Sequence, residues 1–258
     1  MDVPPPPSKS AWPGLPAPRG ISLTTLPEHP CSYLPDRAAR NRAFLCERMP
    51  GPLYHELMDA GFRRSGTFFY QPVCTGCREC RPIRVPVDQF QPSKSQRRAW
   101  RRNDDLVVSV EPPAPTEEKF QLYARYVREW HAKDEDADDP SGFVDFLYRS
   151  PVDTIEISYR DAAGKLLGVG ICDVCERSLS SVYFYFDPAE SHRGLGTFSS
   201  LWEIDFARRQ KIPHYYLGYW IGGCGAMKYK ACFRPFELLG GDGTWRAGDP
   251  ESAIEAHL

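Results

Sequence analysis

Hydrophobic and polar residues alternate clearly in the C-terminal half of the chain. Segments rich in β-branched and aromatic residues predict three strands there, at residues 153–160, 166–174 and 179–186. An amphipathic helix is predicted from residue 197 to about 211, and residues 214–220 follow as a fourth strand. Because a helical crossover joins parallel neighbours, this order predicts three antiparallel strands and a fourth strand parallel to the third.

The N-terminal half predicts a mixture of helices and short strands. Leu53, Leu57 and Ala60 recur at helical spacing, so residues 52–60 are predicted as a helix that stops at Gly61. The remaining predicted helices are at 35–45, 116–133, 142–149 and 227–233, and the remaining strands are at 67–71, 83–87 and 237–239.

These elements predict an α+β protein with two folded units. Residues 1–22 are rich in proline and are expected to form a disordered arm. Residues 23–111 are predicted to be a small cysteine-containing α+β domain, and residues 112–240 a domain with a mixed sheet flanked by helices. Residues 241–258 are expected to be a flexible tail.

The composition indicates a globular protein and limits its surroundings. Of the 258 residues, 41% are hydrophobic and 26% are charged, which is ordinary for a globular chain. No apolar run approaches the roughly 20 residues needed to cross a bilayer, so we expect no membrane partner. The N-terminus lacks the features of a signal peptide, so we expect a cytoplasmic location. The nine cysteines, an odd number, then favour reduced thiols or ligands over a disulfide framework.

Cysteine and arginine are concentrated between residues 61 and 87. Cys74, Cys77 and Cys80 have the spacing of thiols that converge on a soft metal or an iron–sulfur cluster. A fourth ligand has to come from elsewhere, and Cys31 and Cys46 are the candidates; the alternative is that the thiols are simply buried. The flanking arginines, which offer paired donors to carboxylate or phosphate unless they are solvated surface, are Arg63, Arg64, Arg78, Arg81 and Arg84.

A second basic group is predicted on one face of a helix. The net charge of −2 argues against a uniformly basic nucleic-acid-binding protein, so the distribution of charge matters more. Lys94, Arg97, Arg98 and Arg101 share one face of a helix that starts after Ser93. Backbone phosphates of a nucleic acid are a natural counter-charge for this face, and a solvated surface is the alternative.

A short glycine-containing loop precedes the predicted helix at 197–211. Its residues are Arg193, Gly194, Leu195 and Gly196. Together with the strand order, the loop resembles that of the GNAT acyltransferase superfamily, in which backbone amides at a helix N-terminus bind a pyrophosphate. The resemblance implies a GNAT-like acyltransferase fold for residues 112–240.

Longer segments carry a more specific resemblance. They are YHELMDAGFRRSGTFFYQPVCTGCRECRPIRV, QPSKSQRRAWRRNDDL, SHRGLGTFSSLWEIDFARR, YLGYWI and MKYKACFRPFELL. From Cys31 to about Leu239, the chain resembles the aminoacyl-tRNA–protein transferases, with the spacing of the short bacterial aspartate/glutamate leucyltransferases. The resemblance implies transfer of leucine from leucyl-tRNA to the α-amine of proteins that begin with Asp or Glu, which tags them for degradation through the N-degron pathway.

The implied reaction requires no cofactor, because the donor is already an activated ester. The eukaryotic arginyltransferase relatives have a Cys-x-x-Cys pair and a vicinal Cys–Cys pair that are implicated in iron–sulfur or haem binding. This chain has a lone Cys31 in place of the first pair and spaced cysteines in place of the second. An iron–sulfur cluster or another metal on Cys31, Cys74, Cys77 and Cys80 therefore stays open as an alternative to free thiols.

The resemblance also implies where the reacting groups lie. In a GNAT-like site they lie where two central strands separate, here residues 183–186 and 216–220. The residues that we predict as catalytic are Tyr185, Asp187, His192 and Tyr219. The cations that we predict for the acidic side chain of the acceptor are Arg63, Arg64, Lys228 and Lys230. The residues that we predict to contact tRNA are Lys94, Arg97, Arg98, Arg193, Gly194 and Gly196.

Three other functions stay open at this point. Arginyl-tRNA as the donor would keep both the family and the acceptors. A coenzyme A-dependent acetyltransferase is compatible with the glycine loop, although it leaves the basic helix and the thiols unexplained. A non-catalytic, cluster-bearing RNA-binding sensor would bind tRNA without turnover.

Overall fold

A computed structural model describes residues 20–131 and 137–249 of the protein. The predicted arm, apart from its last three residues, lies outside these ranges, as do residues 250–258 of the predicted tail and the last two residues of the helix predicted at 116–133. In the described ranges, no helix is both long enough and apolar enough to cross a membrane.

Eight strands form one large sheet. In spatial order they are β14 (Trp245–Ala247), β13 (Glu237–Leu239), β7 (Arg81–Pro86), β12 (His214–Trp220), β11 (Ser178–Phe186), β10 (Leu166–Cys175), β9 (Thr154–Arg160) and β8 (Val107–Glu111). β11 and β12 are parallel, and the other neighbouring pairs are antiparallel. Helix α5 (Leu195–Arg209) connects the parallel pair. The α+β class and the strand order predicted for a GNAT-like sheet are thus confirmed.

The large sheet contains strands from both predicted domains. β7 and β8 come from residues 23–111, whereas β9 to β13 come from residues 112–240. The division into two domains stays a prediction, and it does not coincide with a break in this sheet. Part of the predicted tail is also built into the sheet, because β14 pairs with β13.

A smaller sheet packs beside the first. Its strands, in order, are β1 (Thr24–Thr25), β4 (Asn41–Leu45), β6 (Phe68–Pro72) and β5 (Arg63–Ser65), and a separate pair is formed by β2 (His29–Pro30) and β3 (Ala38–Ala39). The helix predicted at 35–45 is therefore wrong. The segment pairs with β6, and the ring of Phe44 stacks on that of Phe69 with centroids 5.0 Å apart. This distant pairing outweighs the helix propensity of Ala, Arg and Leu.

Helices occupy most of the other predicted positions. They are α1 (Gly51–Asp59), α2 (Lys94–Arg102), α3 (Glu117–His131), α4 (Pro140–Phe143) and α6 (Gly225–Lys228), with a π-helical turn at Val144–Tyr148 and 3-10 turns at Val87–Gln89, Pro188–Arg193 and Tyr229–Cys232. Gly61 has a φ of 82°, so it ends the α1 segment as predicted. Ser93 and Gln96 form a capping box that fixes the start of α2.

Helices cover both faces of the large sheet. On one face, α5 buries Phe198 and Ile204 in the same core as Ile157 of β9. On the other face, α3 buries Leu122 in a core with Val169 of β10. Because both faces are covered, the central strands are nearly continuous apolar runs. α5 begins a few residues after the carboxyl end of β11.

Candidate active site

The two parallel strands separate in the middle of the sheet. β11 and β12 pair only through Ser178–Ser180 and His214–Tyr216. A bulge follows in β12, where Gly218 has a φ of 83°, and bulges bend a strand away from its neighbour. We call residues 181–186 of β11 and 217–220 of β12, which no longer pair with each other, the strand gap. The separation predicted at 183–186 and 216–220 is confirmed except at Tyr216, which still pairs with Ser180.

Arg63 projects from β5 into the start of the strand gap. Its Nη1 donates to Ser180 Oγ at 3.0 Å, and its Nη2 donates to the Ser181 carbonyl at 2.8 Å. A Cβ atom at Gly218 would lie only 3.0 Å from Arg63 Cζ, so the guanidinium packs directly on that glycine. No carboxylate among the described residues lies within ion-pair distance of Arg63. The strand gap therefore contains a cation held by neutral oxygen atoms.

Lys230 lies close to the same cation. It is 9% exposed, and its Nζ donates to the Tyr219 carbonyl at 2.9 Å, inside the strand gap. Burial lowers the pKa of Lys230 to about 7, and the charge of Arg63 acts in the same direction. The ring of Tyr70 lies next to that of Tyr219, with the two centroids 6.3 Å apart.

The four residues predicted as catalytic occupy different settings. The Tyr219 hydroxyl donates to the Gly61 carbonyl at 2.9 Å, and the buried Tyr185 hydroxyl is 3.2 Å from that of Tyr148. The Asp187 carboxylate is buried between two cations, Arg125 at 3.2 Å and Lys165 at 2.8 Å. His192 is exposed in the turn before α5. Their catalytic roles stay predictions, and three of the four polar groups already have internal partners.

Asp187 keeps its charge in spite of its burial. Burial alone raises the pKa of the carboxyl, but hydrogen bonds from Lys165 and the Ala189 amide, together with the charge of Arg125, lower it overall. Its side chain also caps the 3-10 turn that leads into the glycine loop. The geometry therefore favours a role in shaping this turn.

Arg64 points away from the strand gap, because neighbouring residues of a strand face opposite sides. It forms a buried ion pair with Asp173, with Nε donating to Oδ2 at 2.6 Å. Tyr54 donates to the same carboxylate at 2.7 Å. The charge of Arg64 is thus neutralised inside the protein, whereas Lys228 is exposed on α6. Of the four predicted acceptor cations, the structure brings Arg63 and Lys230 together.

The residues predicted to contact tRNA lie along one side of the site. Gly194 has a φ of 69° and precedes α5, and nothing lies within 4 Å of a Cβ built at Gly194 or Gly196. Arg193 is paired with Asp105 at 2.9 Å. Asn103, just after α2, donates to the Arg193 carbonyl at 3.0 Å. The glycine loop and the end of the basic helix are therefore physically joined.

The basic face of α2 borders a groove against α5. Lys94, Arg97 and Arg98 are exposed. The groove encloses about 350 Å³, and its apolar lining includes Leu201 and Ile204. Trp100 packs edge-on against Phe198 of α5, with centroids 5.5 Å apart. α2 thus presents a row of cations beside an apolar floor.

Both halves of the chain are similar in sequence to known proteins. A family model described as "Arginine-tRNA-protein transferase, N terminus" matches residues 29–98, and one described as "Arginine-tRNA-protein transferase, C terminus" matches residues 118–240. An aspartate/glutamate leucyltransferase of Marinobacter nauticus is 43% identical over 237 residues, which cover 88% of this chain and 96% of the relative. The chain belongs to the arginine-tRNA-protein transferase family. It is therefore a transferase, and the family resemblance found in the sequence is confirmed.

A second relative is similar over most of the chain, whereas the likeness to solved structures is distant. An aspartate/glutamate leucyltransferase of Pseudomonas fluorescens is 45% identical over 215 residues, or 82% of this chain and 90% of the relative. The crystal structure of FemX is 10% identical, covers 70% of this chain and 63% of its own, and has a TM-score of 0.41. That likeness is too low to support any conclusion, so the fold assignment rests on the strand order itself.

The loop at residues 74–80, which carries Cys74, Cys77 and Cys80 and which we call the thiol loop, lies beside the strand gap. Cys80 is close enough to Lys230 and Tyr70 to influence the pKa of each. Cys74 Sγ accepts from the Arg40 amide at 3.4 Å, and Cys77 Sγ from Arg37 Nη1 at 3.4 Å.

Cys74, Cys77 and Cys31 lie close enough to Cys80 to add to the effect of burial in raising its pKa, but the four thiols are not arranged as metal ligands in this structure. Within residues 20–131 and 137–249, no three His, Cys, Asp or Glu side chains converge as ligands. Cys46, the other candidate for a fourth ligand, donates instead to the Arg48 carbonyl at 3.0 Å. A cluster on Cys31, Cys74, Cys77 and Cys80 therefore stays a prediction.

Sequence reasoning missed two residues of this transferase site. Gly218 is one of them, and a glycine inside a strand pattern is a recognised sign of a bulge or a close approach. Glu203 is another. It is buried on α5, where it accepts from Ser199 Oγ at 2.7 Å and from the Tyr215 hydroxyl at 2.6 Å. Its position on the apolar face of α5 was the available signal.

Proposed function

We propose that this protein transfers leucine from leucyl-tRNA to the α-amine of proteins that begin with Asp or Glu, and so marks them for degradation. Its relatives of 43% and 45% identity are named for this specificity. The observation that carries the proposal is the Arg63 guanidinium in the strand gap. It is held there by two neutral oxygen atoms and lacks a carboxylate partner among the described residues.

The acidic side chain of the acceptor would supply that missing carboxylate. A guanidinium has five N–H donors, and Arg63 uses one for Ser180 and one for Ser181. Three donors remain for a ligand, which is enough for a paired, charge-assisted contact with a carboxylate. Asp and Glu both offer this group. An acceptor whose first residue lacks a carboxylate would leave the half-buried Arg63 unpaired, which disfavours its binding.

The donor tRNA would be held by two groups of contacts. The amides at the start of α5, around Gly194 and Gly196, suit a phosphate because they lie at a helix N-terminus with open space in front of them. The exposed cations of α2, Lys94, Arg97 and Arg98, would bind further phosphates. Arg193 is already neutralised by Asp105, so we expect it to hold the loop in shape.

The chemistry then depends mainly on positioning. The aminoacyl ester is activated, and an unperturbed α-amine has a pKa of about 8, so the amine of the acceptor is partly neutral at physiological pH. Fixing the acidic side chain on Arg63 and the tRNA end on α5 would place amine and ester together in the strand gap. Such positioning converts a bimolecular reaction into an effectively unimolecular one.

Replacing Arg63 tests this function. Charge-assisted hydrogen bonds contribute about 1.5–3 kcal/mol, so Arg63→Ala should reduce the preference for Asp over Asn peptides by roughly 10- to 150-fold in kcat/KM. Affinity for leucyl-tRNA should not change. Arg246→Ala, at an exposed ion pair on β14, is the matched control and should behave like the unmodified protein. An Arg63→Ala protein with full preference for Asp would refute the assignment.

Arginyl-tRNA is the second candidate donor. The observation in its favour is that both matching family models are described as arginine-tRNA-protein transferases. Direct competition between leucyl-tRNA and arginyl-tRNA decides between the two donors, because the proposed acceptor site is the same for both.

A further inference from the structure

Lys230 is a buried amine without an anionic partner. No carboxylate in the described part of the chain lies within ion-pair distance of its Nζ. Its only hydrogen bond there goes to the Tyr219 carbonyl, at 2.9 Å. An ammonium group has three donors and no acceptor, so a charged Lys230 would leave two buried donors unsatisfied. A neutral amine has a lone pair and fits this environment better.

The groups around Lys230 also favour the neutral amine. Burial is the largest effect, and it lowers the pKa to about 7. Arg63 on β5 adds a like charge, whereas the thiols of Cys224, just before α6, and Cys80, in the thiol loop, act in the opposite direction. A lysine that is half neutral near pH 7 is a poor second anchor for a carboxylate. It is, however, well suited to accept and return a proton.

We propose that Lys230 Nζ is the proton carrier of the transfer reaction: it takes a proton from the attacking α-amine and gives it to the leaving ribose oxygen. This inference rests on the proposed function. The carbonyl that holds Nζ belongs to Tyr219, in the strand gap beside Arg63. An acceptor whose acidic side chain binds Arg63 would therefore bring its amine close to Nζ.

The step balances without a further reactant. The neutral α-amine attacks the ester carbonyl carbon, and a C–N bond forms. The nitrogen then carries an extra proton, which moves to Lys230 Nζ. The C–O bond to the ribose breaks, and the ribose oxygen takes the proton from Nζ. The products are a peptide bond and a free ribose hydroxyl, and Lys230 is neutral again.

Two measurements test this role, and the first needs no substrate. In protein labelled with ¹³C at lysine Cε, one resonance should titrate near pH 7, and it should be absent from Lys230→Arg. The exposed-site control Lys211→Arg should keep that resonance. If every lysine of the unmodified protein titrates near pH 10, the proposal is overturned, whether or not any variant folds.

The second measurement is the pH dependence of single-turnover leucine transfer. Because both the acceptor amine and Lys230 must be neutral, the rate should fall about 100-fold per pH unit well below pH 7. Lys230→Arg should lose at least about 100-fold in rate near pH 7.5, and its rate should fall only about 10-fold per unit. A merely structural lysine would not change this slope.

The outcomes separate the two proposals. If Lys230→Arg keeps the steep slope and a rate within threefold of the unmodified protein, Lys230 is not the proton carrier, although the proposed function stands. If the unmodified protein transfers no leucine to any acidic peptide, the proposed function fails and this inference fails with it.

Discussion

Arg64 and Asp173 offer the clearest test of how the structure separates two neighbouring arginines. The side chains of the pair are 1% and 0% exposed. Asp173 also accepts from the Tyr54 hydroxyl at 2.7 Å and from Thr154 Oγ1 at 2.8 Å. Arg64→Met removes the cation but leaves the carboxylate buried with neutral donors alone. We expect this change to affect folding, whereas Arg63→Ala affects acceptor choice.

The expected loss of stability is large. Removing one partner of a buried ion pair costs about 3–5 kcal/mol, because the other charge is left without compensation. Domains have a net stability of only about 5–15 kcal/mol. At roughly 2–4 °C per kcal/mol for a chain of this size, the Tm should fall by roughly 6–20 °C. Replacing both partners, with Arg64→Met and Asp173→Leu together, should restore much of that loss.

Urea denaturation followed by tryptophan fluorescence measures these changes. Arg246→Met, which removes an exposed cation paired with Asp242, is the matched control and should unfold at nearly the same urea concentration as the unmodified protein. Folded Arg64→Met should also keep its preference for Asp over Asn peptides. A loss below about 1 kcal/mol for Arg64→Met would show that the pair is not buried as described.

Three further predictions follow from the same contacts. Gly218→Ala adds a Cβ that would lie 3.0 Å from Arg63 Cζ at a φ of 83°, so the preference for Asp over Asn peptides should fall as in Arg63→Ala; an unchanged preference would contradict this packing. Burial raises the pKa of Glu203 above its ordinary 4.5, so the folded protein binds the proton more tightly than the unfolded chain does. The free energy of unfolding should therefore decrease as pH rises from 4.5 through the pKa of the folded state. Glu203→Gln should remove that loss, and denaturation at pH 5 and pH 8 that shows the same pH dependence in both proteins would disprove it. Replacing Arg97 and Arg98 by alanine should weaken tRNA binding and flatten its dependence on salt, and a slope equal to that of the unmodified protein would exclude α2 from the interface.

The large sheet was predictable because its strands have clear local patterns. β9 and β11 are rich in β-branched and aromatic residues, β10 is a largely apolar run, and α5 repeats Phe198, Leu201 and Ile204 at helical spacing. Their order then fixes a parallel β12 by a general rule of chain connection. The helix prediction at 35–45 failed for the opposite reason. Its strand exists only because β6, more than twenty residues later, pairs with it.

The candidate site was predictable in outline but not in detail. Sequence reasoning identified Arg63 and Arg64 as equal candidates, because β5 was not predicted as a strand and the alternation that separates them was not visible. The burial of Lys230 depends on packing against β12, which no local pattern reports. Internal partners for Tyr185, Asp187 and Tyr219 likewise come from distant parts of the chain.

The measurement that tests the central claim most directly is a transfer assay with a choice of donor and acceptor. Purified protein is given labelled leucyl-tRNA or arginyl-tRNA, with peptides that begin with Asp, Glu, Asn or Ala. We predict leucine transfer to the Asp and Glu peptides, and its loss for the Asp peptide in Arg63→Ala. Transfer of arginine alone would contradict leucyl-tRNA as the donor. Equal transfer to Asp and Asn peptides would contradict the role of Arg63 in binding the acceptor. No transfer from either tRNA would contradict the account as a whole.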